Sequence, residues 1–330
     1  MTRVRIDLYD LLGVVLVVAL AGWIWITAAT RTGNPLPQIT VLVLTAAAYV
    51  AGRIVGGPRP VFVPAVIVIA ILVGVVLSGP AAISGGALAP PLGYANANGA
   101  LYMLGAAAAA IAAVAANKMA VRQPAAMLAL VMLALAAFTG SKAAITLTAG
   151  VLAATLFARV LGRWVALVAP FIVTGAVAVT VGLGIAHGLP ALPRVVAGLT
   201  DRRTELWRDA LDIVAAHPVT GAGPGMFAKT SPTALDDADA LWAHSAYLQV
   251  AAEHGIPGGL LLGLLVLWVF GGMYRSRQNP RVIVIGVAAT AGFAIHAAID
   301  YVAHFPAVVL VAALVAGLAS SRRPAEPPSA

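Results

Sequence analysis

Continuous apolar runs of roughly 18 or more residues recur along this chain, and each is long enough to cross a bilayer as a helix. The segments fall at about 11–29, 38–55, 61–78, 98–116, 125–139, 142–158, 165–186, 255–273, 282–298 and 305–320. Composition agrees. Hydrophobic residues make up 61% of the 330 and charged residues 10%, with a mean hydropathy of +0.97. A soluble domain is nearer half apolar and a quarter charged. The expected fold class is therefore an all-α polytopic membrane protein of about ten transmembrane helices, with membrane lipids as its surroundings. The first apolar run is long for the core of a signal peptide and is expected to stay as a span.

The net charge of +8 is explained by topology. Ten crossings put both termini on one side. Arg3, Arg5, Arg53, Arg59, Lys118, Arg122, Arg159, Arg163, Arg275, Arg277, Arg281, Arg322 and Arg323 then share that side, and only Arg31 and Lys142 occupy short loops on the other. Basic residues concentrate in cytoplasmic loops, so the N- and C-termini are expected in the cytoplasm and no nucleic-acid partner is called for. Zero Cys excludes disulfides, thiolate catalysis and Cys-based zinc sites.

Expected organisation is transmembrane helices 1–7 over 1–186, a long extracytoplasmic segment over 187–254, helices 8–10 over 255–320 and a cytoplasmic tail over 321–330. Connections this long are usually functional or disordered. This one holds "TDRRTELWRDALDIVAAHP", in which Thr200 or Asp201 could cap a helix. Leu206, Trp207, Ala210, Ile213 and Val214 follow at helical spacing before Pro218, which predicts an amphipathic helix against the bundle or the membrane surface. A second outer segment, 79–100, has no charge and ends in Asn96 and Asn98. All six His (187, 217, 244, 254, 296, 304) fall in outer loops or at the outer ends of spans, with Asp300 and Tyr301 beside His304. The groups that titrate near neutral pH are thus gathered on one face.

Each cluster has a plain and a chemical explanation. In "WAHSAYLQVAAEHGIPGG" (242–259), helical spacing from Ala243 would put His244, Tyr247, Leu248 and Ala251 on one face. His244 is then either an interfacial histidine bonded to a carbonyl or a general base aimed between helices, and "GIPGG" breaks and restarts the helix. In "RRTELW", Arg203 shares a face with Trp207 and Ala210, whereas Arg202 and Arg208 point to solvent. Arg203 either reaches lipid headgroups or holds an anion, for which guanidinium is well shaped. Lys142, a lone base in the turn "FTGSKAAI", has the same two explanations. "HPVTGAGPGMF" (217–227) is Gly-rich but lacks the Gly-Lys-Ser/Thr of a phosphate loop. It is a turn, or a set of N–H groups for an anion. "DDAD" (236–239) is a solvated acidic run or, less well supported, a hard-cation site, and no metal is expected.

In this order the elements resemble the O-antigen ligase and O-antigen polymerase superfamily of bacterial membrane glycosyltransferases. "YANANG" (94–99) is similar to the family's Asn-containing outer segment and "GSKAA" (140–144) to its Ser-Arg-Gly turn. "RTELWRDALDIVAAHPVTGAGPGMF" (203–227) is similar to its Arg-x-x-x-Trp helix and Gly-rich loop. "HSAYLQVAAEHGIPGG" (244–259) is similar to its His-Asn/Ser, nine residues, Gly-x-x-Gly signature. Lys142 stands where the family more often has Arg, and Ser245 where it more often has Asn. The resemblance implies a GT-C-like, inverting transferase of the bacterial inner membrane that needs no metal or cofactor. Its donor would be an undecaprenyl-diphosphate-linked glycan and its acceptor a glycan or lipid-linked glycan. It implies His244 as the catalytic base and Arg203 and Lys142 at the diphosphate, with Trp207, His217, Tyr247 and Asn98 as further substrate-binding residues.

A polymerase of the same superfamily differs in acceptor and not in donor chemistry. A transporter would place ionisable residues near the membrane midplane, and the apolar segments are almost free of them. A scaffold would leave the two long motifs unexplained.

Overall fold

The computed structural model describes residues 7–186, 201–237 and 240–322, with Asp201 described for its backbone only. Arg3, Arg5, His187, Arg194, Thr200, Asp239, Arg323 and the rest of the tail lie outside the described residues. The α-helices are α1 (Leu8–Thr30), α2 (Leu36–Gly56), α3 (Phe62–Ser78), α4 (Ala95–Ala115), α5 (Met119–Phe138), α6 (Lys142–Leu161) and α7 (Val165–Ala186). They continue with α8 (Asp201–Ala216), α9 (Phe227–Thr230), α10 (Pro232–Asp236), α11 (Ala246–Tyr274), α12 (Pro280–Ile299) and α13 (Pro306–Ala319). Among the described residues nine helices are long and apolar enough to span a membrane: α1 to α7, α11 and α12. The tenth expected span is α13, with 14 residues. At 1.5 Å per residue that is about 21 Å, short of the ~30 Å hydrocarbon core.

The helices alternate in direction, and contacts define two ends. At one end Asp10 of α1 pairs with Arg53 of α2 at 2.6 Å, Asp7 meets Arg322 at 2.7 Å, and Gln278 donates to the Gly56 carbonyl at 2.9 Å. Apart from Arg31, Lys142 and those in 201–237, every described Lys and Arg falls at this end. The other end gathers the α1–α2 turn, the segment after α3, the α5–α6 turn, α8 to α10 and the α12–α13 turn, and is here called the site end. The helices carry more ionisable residues than the apolar segments do, because they run past the segment ends. Asp10 lies in the first turn of α1, Glu253 and His254 lie within α11, and His296 is buried in α12.

At the bundle's centre stands α4. In its most apolar window 94% of residues are buried, against 17–28% in α1, α2, α3, α5, α6, α7 and α11. The cause is in its sequence, "GAAAAAIAAVAA", where small side chains let α3, α5, α6, α12 and α13 pack around it. Close approach recurs between α2 and α13, where a Cβ on Gly317 would overlap the Tyr49 carbonyl. Helices α1, α2, α3, α5, α6, α7 and α11 turn apolar side chains outward, as lipid-facing helices do, while α12 is two-thirds buried.

The amphipathic helix expected after residue 200 is α8. It lays Leu206, Trp207, Ala210 and Ile213 against Phe227, Ala240, Ala243, Leu248 and Ala252, so it rests on the bundle. The break expected at "GIPGG" is also present. Gly255 has φ 68°, open to glycine at little cost, and a Cβ there would overlap the Val219 carbonyl. Pro257 has no N–H to give the Glu253 carbonyl. The Gly-rich segment repairs the gap. Ala222 N–H bonds the Ala252 carbonyl at 2.8 Å, Gly223 N–H the Glu253 carbonyl at 2.9 Å, and Ile256 N–H the Pro218 carbonyl at 2.8 Å. The segment 217–227 is thus the hydrogen-bonding partner of the α11 kink.

Orientation is testable because the chain has no Cys. A cysteine replacing exposed Leu235 should react with an impermeant thiol reagent in spheroplasts, and one replacing exposed Arg277 should react only after lysis. The opposite pattern would invert the membrane orientation.

Candidate active site

A buried carboxylate organises the site end. Asp300 follows α12 and is 1% exposed. Its oxygens accept from Arg203 Nη2 at 2.6 Å, Asn96 Nδ2 at 2.6 Å, the Tyr94 hydroxyl at 2.9 and 3.0 Å, and the Tyr301 N–H at 2.7 Å. A buried charge is tolerable only when so supplied with donors. Burial pushes the Asp300 carboxyl up, while Arg203, Tyr94, the Tyr301 N–H and Asn96 pull it back. Three segments distant in sequence are joined through this one side chain.

His244 faces the same carboxylate, with Nδ1 3.9 Å from Asp300 Oδ1 and its ring edge-on to Tyr301 at 4.6 Å between centroids. It does not share a helical face with Tyr247, Leu248 and Ala251. Ser245 is the N-cap of α11, its hydroxyl accepting from Leu248 N–H at 3.4 Å, and His244 precedes it with φ 47°. A non-glycine residue holds that conformation only where its surroundings impose it. The Trp207 indole N–H holds the His244 carbonyl at 3.2 Å. Burial, then the Arg203 guanidinium, bring the His244 imidazole down to about 4. The imidazole is neutral at rest and able to accept a proton.

The α8 register follows the sequence spacing. Arg203 points to Asp300 with its side chain 23% exposed, while Arg202 pairs with Asp237 and Glu205, and Arg208 with Asp212, on the exposed side. Trp207 is fully buried and acts on the backbone of His244. Tyr247 lines an apolar cleft of about 1740 Å³ between α1, α2, α11, α12 and α13. The cleft reaches from His304 and Glu253 at the site end to Asp10 and Arg53 at the other.

Other expected site residues are at the same end but not in this cluster. Lys142 is exposed on the first turn of α6, in a turn packed on Gly99, without a hydrogen bond or ion pair among the described residues. His217 bonds Arg31 at 2.9 Å and lines a separate pocket of about 400 Å³. Asn98 is buried, bonding the Ala89 and Pro90 carbonyls and the Leu92 N–H, so it shapes the loop before α4. Asn96, two residues earlier, reaches the site. Among the described residues no three His or acidic side chains gather as a metal-binding set.

Asp300, Tyr94, Asn96 and Tyr301 were not among the expected site residues. One signal was available. Asp300 is the only acidic residue between Glu253 and Glu326, at the mouth of an apolar helix.

Fold and site together define a polytopic helical membrane protein with a histidine, an arginine and a buried acid clustered at one end of the bundle. Residues 125–263 match the family described as O-antigen ligase, and over that region the chain is similar to the O-antigen ligase and polymerase superfamily of membrane glycosyltransferases, as its motifs imply. The matched span includes Lys142, Arg203 and His244 and excludes Tyr94, Asn96 and Asp300. No curated protein matches the chain.

The lowered imidazole predicts a pH profile. Glycosyl transfer should hold its rate as pH falls through the ordinary histidine value of about 6.5, and decline only toward about 4, where His244 gains its proton. An acid limb at 6.5 in a rate–pH profile of purified protein would contradict the buried, Arg203-facing placement.

Proposed function

We propose that this protein transfers a glycan from an undecaprenyl-diphosphate carrier to an acceptor hydroxyl at the extracytoplasmic face of the bacterial inner membrane, as an O-antigen ligase. The observation that carries this is the meeting of His244 and Arg203 at Asp300, within and beside the region similar to O-antigen ligase. Residues 187–254 form the catalytic segment on this reading.

His244 takes the acceptor hydroxyl proton on Nε2 as that oxygen attacks the anomeric carbon. The bond from that carbon to the diphosphate oxygen breaks, and its electron pair leaves with the diphosphate. Attack opposite the leaving group inverts the centre. The imidazolium formed presents its Nδ1–H to Asp300, whose 3.9 Å separation at rest can shorten as charge develops. Arg203 spends one donor on Asp300 and offers the rest of its fork to the diphosphate, with Lys142 as a second cation at the same end. Trp207 holds the base in place. The apolar cleft beside Tyr247 suits the carrier's hydrocarbon chain, and His217 and Asn98 shape the rim through Arg31 and the loop before α4. No step requires a metal or a cofactor.

His244→Ala should leave yield and donor binding near normal while transfer falls about a hundredfold or more, the size of effect a general base supplies. Near-normal transfer would move the base elsewhere. In the deletion strain, accumulation of full-length lipid-linked glycan marks a ligase, and of single repeat units a polymerase.

Arginine chemistry gives a separate check. In donor-binding measurements Arg203→Ala should weaken affinity more than Arg203→Lys, which keeps a point charge but loses the fork. Arg202→Ala, on the exposed side, should change little. A reversed order would mean that the diphosphate sits on the other face of α8.

A further inference from the structure

Behind His244 lies a polar relay that the proposed reaction does not itself use. Glu253 is 1% exposed on α11, and Gln249 is one turn before it. Glu253 Oε1 accepts from Gln249 Nε2 at 2.7 Å and from Phe227 N–H at 3.3 Å, and Oε2 accepts from Gln38 of α2. Gln38 turns its own Oε1 to His254 Nε2 at 2.7 Å, and His254 Nδ1 meets Thr27 of α1 at 2.8 Å. Gln249 then extends the chain outward, its Oε1 accepting the Ala243 N–H at 2.8 Å. Ala243 is fully buried and immediately precedes His244.

His244 is therefore gripped from two sides. The Trp207 indole holds its carbonyl, and Gln249 holds the peptide N–H before it. Between these two bonds the backbone adopts its left-handed conformation at φ 47°. The grip needs one side chain that both accepts and donates, since Ala243 offers a donor and Glu253 an acceptor. A primary amide at position 249 meets both demands.

The geometry points to Gln249 as a positioning residue that, anchored on the buried Glu253, sets the backbone angle at which His244 presents its imidazole to substrate. This rests on His244 being the base. Misplacing a catalytic group by about 1 Å costs up to ~100-fold in rate.

The experiment compares purified full-length wild type, His244→Ala, Gln249→Met and Gln249→Glu for yield, donor KM and kcat between about pH 5.5 and 8. Gln249→Met keeps the shape and loses both bonds. Its kcat should fall about 10- to 100-fold with donor KM and yield near wild type. Gln249→Glu keeps the acceptor for Ala243 but sets a carboxylate against Glu253. As pH falls one proton is shared between them and the bond returns. Its rate relative to wild type should therefore rise on acidification, while the Gln249→Met ratio stays flat. The other titratable groups lining this end of the cleft, Tyr247 and His254 on α11 and His304 after α12, are common to both proteins, whereas Glu253 is the partner through which the Gln249→Glu change acts. His244, held at about 4, stays neutral over the range.

Normal kcat in Gln249→Met with His244→Ala inactive would overturn this inference alone. Activity in His244→Ala would overturn the proposed function instead. Equal loss in both Gln249 variants at every pH, with reduced yield, would assign Gln249 to packing. Should Gln249→Met fail to accumulate, the Gln249→Glu ratio decides.

Discussion

The whole arrangement depends on one central helix whose second half is almost all alanine. Because the alanines and glycines of α4 keep much of its surface low, five neighbours can approach it, and dispersion contacts accumulate there and around its buried Tyr102, Met103, Leu104 and Ile111. Its first turn carries Asn96, with Tyr94 as the residue that enters it. The seating of α4 thus places two donors around Asp300.

The buried carboxylate then converts packing into a site. It cannot stay unpaired away from water, so it recruits a guanidinium from α8, a phenol and an amide from the start of α4, and the next backbone N–H. Arg203 is thereby held near His244, where burial first and then its charge lower the imidazole pKa. In the proposed reaction the same guanidinium also faces the diphosphate.

Much of this was legible in the sequence, and the rest was hidden for identifiable reasons. Local periodicity located the spans, the buried face of α8 and the difference between Arg203 and Arg202. Glycine and proline announced the break at Gly255. What periodicity could not show was pairing over long separations: Tyr94 and Asn96 with Asp300, 206 and 204 residues apart, or Gln38 with Glu253. The Asn96 and Asn98 amides have equal chemistry in sequence, and only tertiary contact separates the one that faces the site from the one that ties a loop. At His244 helical spacing is overridden by the Ser245 N-cap, whose hydroxyl takes the Leu248 N–H and starts α11 at Ala246. His217 joins Arg31 because α1 and the Gly-rich segment meet, which neither stretch states alone.

The backbone exchange between 217–227 and the α11 kink has a consequence for how such proteins diverge. Each stretch carries hydrogen-bonding groups left open by its own glycines and prolines, and each closes the other's. Neither is a self-sufficient cassette. Recombination that brought in a foreign outer segment without its matching helix break would strand carbonyls at the edge of the bilayer. The two stretches, separated in sequence by α9 and α10, are in this sense a single inherited part.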